Sequence, residues 1–306
     1  MSAKPLDYGI APPGHRMPSG MRLGSVRLQV ADLDRSLEWY QRVLGVVPLD
    51  GSETPVAASP AARMARLGVR GATSGLMELH ERPGASPVPR RGRLGLYHYA
   101  ILLPDRGDLG RFIGHLAEIG ERAGMSDHLV SEAVYLSDPD GLGIEVYADR
   151  PRDQWRHDGR QLTMATLPLD VDNVLAAAGD APWRGMPART VVGHVHLFVG
   201  DLERAAAFYH VGLGLDQMVW SYPGALFLSA GGYHHHLGVN TWAQGALPAG
   251  PADARLLEWT IDLPTLADAR AAIESLAGAG GDVVATSNGG TARDPWGTTV
   301  RITGRA

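Results

Sequence analysis

Apolar and polar residues alternate through GSVRLQV at 24–30, with Val26, Leu28 and Val30 on one side and Ser25, Arg27 and Gln29 on the other, the period of a half-buried strand. Asp32 then stands where a helix N-cap belongs, before an aromatic-bearing run that closes at Leu44-Gly45, so this segment predicts strand, capped helix and glycine stop. The pattern recurs at 193–214, where GHVHLFVGDLERAAAFYHVGLG aligns without gaps to 24–45 with identity at ten of 22 positions. A second pair follows in each half. LYHYAILLP at 96–104 matches LLEWTIDLP at 256–264, and Asp-Pro-x-Gly stands at 138–141 and again at 294–297. Proline fixes φ there and glycine accepts positive φ, which predicts a turn between two hairpin strands. Four modules, beginning near Gly24, Leu96, Gly193 and Leu256, thus read as a strand, a helix and further short strands. Residues 1–21, with Pro5, Pro12, Pro13 and Pro18, predict an irregular arm. Residues 22–150 hold the first two modules as one domain, 151–188 read as a proline-bearing linker, and 189–306 hold the second two modules.

A length of 306 fits two domains of roughly 150 residues each. Hydrophobic residues make up 44% and charged residues 20%, and no stretch approaches the ~20 apolar residues of a membrane span, which argues against a membrane protein. The net charge of −5 contains no long block of one sign, which argues against a nucleic-acid partner. The first twenty residues lack the apolar core of a signal peptide, so a cytoplasmic protein is expected. The absence of cysteine removes disulfides, thiolate nucleophiles, iron–sulfur clusters and zinc–cysteine sites. Any metal would be held by His, Asp or Glu, and the twelve histidines become the candidates.

Four βαβββ modules with Asp-Pro-x-Gly before the last strand resemble the vicinal oxygen chelate superfamily, which includes glyoxalase I, bleomycin-resistance proteins and extradiol ring-cleaving dioxygenases. The resemblance covers essentially residues 22–304. Three segments are similar to the catechol 2,3-dioxygenase branch: LYHYAILLPD at 96–105, SEAVYLSDPDGLGIEVYADRP at 131–151 and GGYHHHLGVN at 231–240. The resemblance implies an α+β fold of two glyoxalase-like domains, their curled mixed sheets surrounding a metal pocket, with ligands on the first and last strand of each module. The corresponding first-strand residues are Ser25, His98, His194 and Glu258; the last-strand residues are Glu78, Glu145, Gly238 and Arg301. Module four carries a cation where a carboxylate belongs, and module one has no imidazole. The implied metal set is therefore His98 and Glu145 of module two with His194 of module three, paired within one chain. Members of the catechol branch usually draw this set from modules three and four, so the carboxylate module here stands second instead of fourth.

Two imidazoles and one carboxylate make the facial triad of non-haem Fe(II) enzymes, a donor set that also accommodates Mn(II). The resemblance implies Fe(II), O₂ as co-substrate, and a small aromatic diol cleaved outside its two hydroxyls. It also implies His235 as the acid–base group, with Tyr135, ten residues before Glu145, and His128 hydrogen-bonding the substrate. Blander roles stand beside these: a strand histidine or tyrosine is commonly core, and a strand glutamate can simply face outward. His196 lies two residues from His194 on the same strand face, so either can be the ligand, with the repeat alignment favouring His194. Of the three consecutive histidines, His234 and His236 are expected to share the face opposite His235. His80, His115, His157 and His210 read as surface or packing residues, and Trp39, Tyr40, Phe208 and Tyr209 as helix-to-sheet packing. Two other functions use the same fold. A glyoxalase-like isomerase or lyase usually needs a second metal carboxylate, where Gly238 stands; an aromatic-drug-binding resistance protein generally lacks the ligands. The sequence leaves the ring substituents open, and likewise whether the protein is a homo-oligomer.

Overall fold

The structure, a computed structural model, describes residues 8–49, 54–55 and 63–305. Each repeat forms strand, helix and three strands. Module one is β1 (Arg22–Val30), α1 (Leu33–Trp39), β2 (Val47–Pro48), β3 (Arg63–Gly68) and β4 (Met77–Glu81). Module two is β5 (Gly95–Leu102), α2 (Arg106–Glu118), β6 (Gly124–Asp127), β7 (Ser131–Ser137) and β8 (Gly143–Asp149). After α3 (Val171–Ala177) come β9 (Val191–Phe198), α4 (Leu202–Ala206), β10 (Asp216–Val219), β11 (Ala225–Ser229) and β12 (Leu237–Asn240). The last module is β13 (Arg255–Leu263), α5 (Leu266–Gly278), β14 (Asp282–Thr286), β15 (Gly289–Arg293) and β16 (Thr299–Gly304). Asp32, Asp105 and Asp201 cap their helices by accepting the backbone N–H three residues on, and Thr265 with Asp268 forms a capping box.

Within every module the first strand runs parallel to the last, which leaves the first strand's other edge free to pair. Those edges join antiparallel, β5 to β9 and β1 to β13. Two mixed sheets result: an eight-stranded one in the order β10-β11-β12-β9-β5-β8-β7-β6, and a nine-stranded one in the order β14-β15-β16-β13-β1-β4-β3-β2 with residues 54–55 added on β3. The expected division into a domain at 22–150 and another at 189–306 is therefore not the division into sheets. Each half gives one module to each sheet, because first strands find their partners across the halves.

Within each half, a buried hydrogen bond ties one module to the next. The Tyr40 hydroxyl donates to Asp138 Oδ2 at 3.2 Å, and the Tyr209 hydroxyl donates to Asp294 Oδ2 at 2.9 Å. Both aspartates open the Asp-Pro-x-Gly turns. Their Oδ1 atoms accept two backbone N–H groups each, and Gly141 and Gly297 take φ values of 81° and 89°. Tyr40 and Tyr209 are fully buried, as packing residues should be, and in addition each ties the helix end of one sheet to a turn of the other. One apolar core, with Trp259, Tyr99, Phe112 and Leu28 among its most buried members, runs through both sheets and the helices.

Residues 151–188 are more than a linker. They include α3, which lies so close to α2 that a Cβ on Gly110 would come within 2.3 Å of the Val174 carbonyl oxygen. Leu167 exchanges two backbone hydrogen bonds with Asp127 and so covers the β6 edge of the eight-stranded sheet. The irregular arm does the same at the other edge, where Ile10 exchanges hydrogen bonds with Gln217 of β10, and the Arg16 guanidinium forks onto Asp216 at 2.8 and 2.9 Å. Residues 1–7 of the arm lie outside the described residues. Among the described residues no helix is long and apolar enough to cross a membrane.

Removing one of the tying hydroxyls leaves an aspartate oxygen short of a donor in the core, a loss of about 1–2 kcal/mol. Tyr209→Phe should therefore lower the thermal midpoint by roughly 2–6 °C in a differential scanning measurement. An unchanged midpoint would show that the bond contributes nothing.

Candidate metal centre

In the ladder between β5, β8 and β9, Ala100 stands opposite Glu145 on one side and His194 on the other, with His98 two residues away on the same face of β5. The methyl of Ala100 leaves the space between these longer side chains open. Glu145 Oε2 lies 2.9 Å from His98 Nε2 and 3.0 Å from His194 Nε2, and the three potential ligand atoms all fall within 4.8 Å of one another. All three residues are buried, with at most 4% of their surface exposed. Two β-bulges shape the ladder here. Gly193 is an extra residue on β9, where a Cβ would strike the Tyr147 hydroxyl, and Tyr97 is an extra residue on β5 whose ring turns into the adjoining cavity.

His98 Nε2 is close to the carboxylate yet misaligned for a hydrogen bond, and the Nδ1 atoms of His98 and His194 have no partner either. Buried imidazole nitrogens without partners are costly, and a cation bound at Nε2 would satisfy those that face Glu145. Burial pushes the Glu145 carboxyl up, but the neighbouring His194 and His98 outweigh it and hold the group well below the usual carboxylate range. Burial lowers both imidazoles, with Glu145 pulling the other way. A carboxylate with two neutral imidazoles is the protonation state that binds a divalent cation, and the donor set fits Fe(II) or Mn(II).

A cavity of about 200 Å³ adjoins the group. On the His98 side, His128 Nδ1 donates to the Ala165 carbonyl at 2.7 Å, which leaves Nε2 to accept from the Tyr135 hydroxyl at 2.5 Å. Burial, then the Glu145 charge, raises Tyr135 well above its ordinary value, so it stays a neutral hydroxyl. On the other side the His235 ring lies 4.1 Å from that of His194, centre to centre. Asp149 Oδ1 lies 2.9 Å from His234 Nε2, and His234 Nδ1 lies 2.7 Å from His235 Nδ1. A carboxylate only accepts, so His234 donates from Nε2, accepts at Nδ1, and leaves the lone pair of His235 on Nε2. Burial, reinforced by His194, keeps His235 well below its ordinary pKa and hence neutral.

Residues 22–146 and 191–302 match the family model described as the Glyoxalase/Bleomycin resistance protein/Dioxygenase superfamily. The chain belongs to that superfamily. A protein of Bacillus subtilis (strain 168) named catechol-2,3-dioxygenase is 42% identical to it over 277 residues, spanning 89% of this chain and 93% of that protein. The fold is shared with a solved chain from Bacillus subtilis subsp. subtilis str. 168, at TM-score 0.63 and 13% identity over 95% of this chain and 86% of that one. Glyoxalase I from Zea mays likewise aligns at TM-score 0.55 and 19% identity, over 93% and 92% of the two chains.

Within this superfamily member, the metal group forms in only one of the two sheets among the described residues. At the equivalent place in the other, Arg301 forks onto Glu258 at 2.7 and 2.8 Å, and Arg27 Nε lies 2.9 Å from Glu78, so arginine side chains neutralise the carboxylates there. His196 is not brought into the group. Its Nε2 accepts from Asn240 Nδ2 at 2.9 Å, and its ring fills the space beside Gly238, where a Cβ would sit 2.8 Å away. Residues 234–236 precede β12 instead of lying in it, so strand alternation does not apply and His234 contacts His235 directly. Sequence reasoning missed Asp149, and it missed the cavity wall of Met164, Ala165 and Thr166 from the presumed linker. The aromatic lining of Tyr97, Tyr222, Phe227 and Trp242 was also missed. Of these only Asp149 and Tyr97 lay in segments that the resemblance singles out, at 131–151 and 96–105. His80 sits 3.4 Å from Glu78, His115 bonds the Arg42 carbonyl, His157 stacks on Tyr8 and His210 bonds the Leu215 carbonyl.

Metal content should separate the two candidate ligands on β9. After loading and desalting, His194→Ala should hold metal at least about tenfold more weakly than the parent, while His196→Ala should retain it; the reverse result would move the site to His196. The buried histidines also set an acid limit. Burial lowers His98, His194, His196 and His235, and takes His236 to about 3. Unfolding below an ordinary imidazole value of 6.5 therefore takes up protons that the fold refuses, so their contribution to stability is present above pH 6.5 and is lost as the pH falls. Asp138, raised by burial to about 7, and Asp294 pull the other way, but the imidazoles outnumber them. Between pH 7.5 and 5.5 the metal-free protein should lose roughly 5–10 °C of thermal midpoint. A midpoint that rises on acidification would overturn the neutral assignment.

Proposed function

We propose that this chain is an Fe(II)-dependent extradiol dioxygenase that incorporates O₂ into a small catechol-type aromatic diol. The observation that carries the reading is the buried His98–His194–Glu145 group facing a cavity, with a proton-handling pair beside each imidazole: Tyr135–His128 near His98 and His235–His234 near His194. The name of the 42%-identical relative supports it. Mn(II) suits the same donors.

When bound at those three residues, the metal supplies Lewis acidity toward the two diol oxygens and an electron path to O₂. The protein supplies the rest. Tyr97, Tyr222, Phe227 and Trp242 give the ring aromatic walls. Because the Tyr135 proton already points at His128 Nε2, the Tyr135 oxygen is free to accept a diol proton while passing its own to that nitrogen. The Ala165 carbonyl holds His128 in the tautomer this transfer needs. His235 presents an unprotonated nitrogen at the cavity and takes the second diol proton; it and His128, the latter back through Tyr135, return both protons to the ring-opened product. A glyoxalase-like isomerase would need a second carboxylate in place of Gly238, whose site the His196 ring occupies.

Anaerobic loading with Fe(II), addition of a catechol and then admission of air should give one O₂ consumed per diol, together with a yellow semialdehyde absorbance. His98→Ala should abolish both, and Glu145→Gln should abolish iron retention. Tyr135→Phe should keep its iron while kcat falls about 10²-fold or more. Tightly held metal without O₂ uptake on any diol would overturn the dioxygenase reading in favour of an isomerase. Iron retained with turnover in Glu145→Gln would remove the ligand assignment.

A further inference from the structure

The cavity at the metal group opens into a wider one of about 1000 Å³, and the two share Tyr97, His98, Tyr135 and Trp242. Any substituent that leads away from a diol held beside His98 therefore extends into this outer space. Its inner wall is apolar and aromatic, with Leu96, Ile144, Phe198 and Trp242. Its rim comes from the connectors between modules one and two and between modules three and four. These are zipped together: Leu94 N–H donates to the Leu247 carbonyl and Ala249 N–H to the Leu94 carbonyl, both at 3.0 Å, and Ser86 N–H donates to the Ala252 carbonyl and Ala254 N–H to the Ser86 carbonyl, both at 2.8 Å. The rim is thus fixed by backbone hydrogen bonds.

Its charge is one-sided. Arg90, Arg91 and Arg93 line the outer cavity, and among the described residues no Asp or Glu does. Arg93 is directed toward Asp253 at 3.6 Å. Among the described residues Arg90 and Arg91 have no carboxylate within ion-pair distance, in a chain that is acidic overall and pairs Arg16, Arg27, Arg106, Arg150 and Arg301 elsewhere. Unpaired guanidiniums at the mouth of an aromatic-walled cavity form a receptor for an oxyanion on an aromatic ligand, since the planar fork matches a carboxylate with two parallel N–H donors.

We propose that the substrate is an aromatic diol bearing a carboxylate-type anionic substituent, which Arg90 and Arg91 recognise at the outer rim. This rests on the dioxygenase reading of the same site. The anion raises productive capture through steering and through direct pairing, and both effects weaken with salt.

Dihydroxyphenylpropionate and its neutral carboxamide, alike in size, make the test pair. With the iron-loaded enzyme, kcat/KM for the carboxylate should exceed that for the amide by about tenfold or more, and this ratio should shrink toward one in Arg90→Gln/Arg91→Gln and at high salt. Arg90→Lys/Arg91→Lys should restore part of it. Equilibrium binding of both compounds to the iron-free protein, read by quenching of tryptophan fluorescence, provides a readout independent of turnover. Turnover of both with a ratio near one would overturn the anionic-substrate inference and leave the dioxygenase reading standing. Absent turnover with tighter binding of the carboxylate, lost in the Gln double variant, would keep the inference and overturn the dioxygenase reading. Absent turnover with equal binding would overturn both.

Discussion

The register of β5 against β9 is the constraint on which the rest depends. Side chains alternate across a strand, so a slip of one residue would carry His194 to the opposite face and leave Glu145 buried beside His98 alone. The register is held by features at both ends of the pairing. Gly193 admits the Tyr147 hydroxyl where any side chain would collide, and the bulge at Tyr97 shifts the ladder so that one aromatic ring leaves the sheet and enters the cavity. The same irregularity that interrupts regular pairing thereby supplies a wall of the site.

The two sheets share an architecture, but among the described residues only the eight-stranded one brings together a candidate metal group. A metal centre concentrates donors that would otherwise be buried without partners. Where the cation is a side chain, as with Arg301 and Arg27, the carboxylates Glu258 and Glu78 are matched without an ion, and the site becomes an ion-pair network. In the nine-stranded sheet the carboxylates thus find their counter-charges within the chain, whereas in the eight-stranded sheet Glu145 faces two imidazoles.

The modules, caps and turns were legible because their signals are local: an alternating strand, an aspartate before a helix, a proline and a glycine at fixed offsets. His98, Glu145 and His194 were reachable only through resemblance, since they lie far apart in sequence and meet through strand pairing. The pairing of module two with module three was reached only through the ligand set that the resemblance implied, and β5 does pair with β9; the strands themselves did not reveal it, because β1, β5, β9 and β13 all present similar free edges. The role of His234 was hidden by the assumption of a strand where the chain is still turning, and α3 was hidden in a proline-bearing stretch. Arg90 and Arg91 carry no sequence signature of their own; only their place on the lining of the outer cavity distinguishes them from other surface cations.

Because the halves exchange modules between sheets, the chain acquires an order of assembly. When a ribosome has released residues 22–150, β1 and β5 each present an unpaired edge, and His98 with Glu145 has no third ligand. Those edges are closed only when β9 and β13 emerge, more than forty residues later for the first and about a hundred for the second. The inner edges of the first half therefore have no partner from the chain during that interval, and the candidate metal group is complete only once β9 has paired with β5.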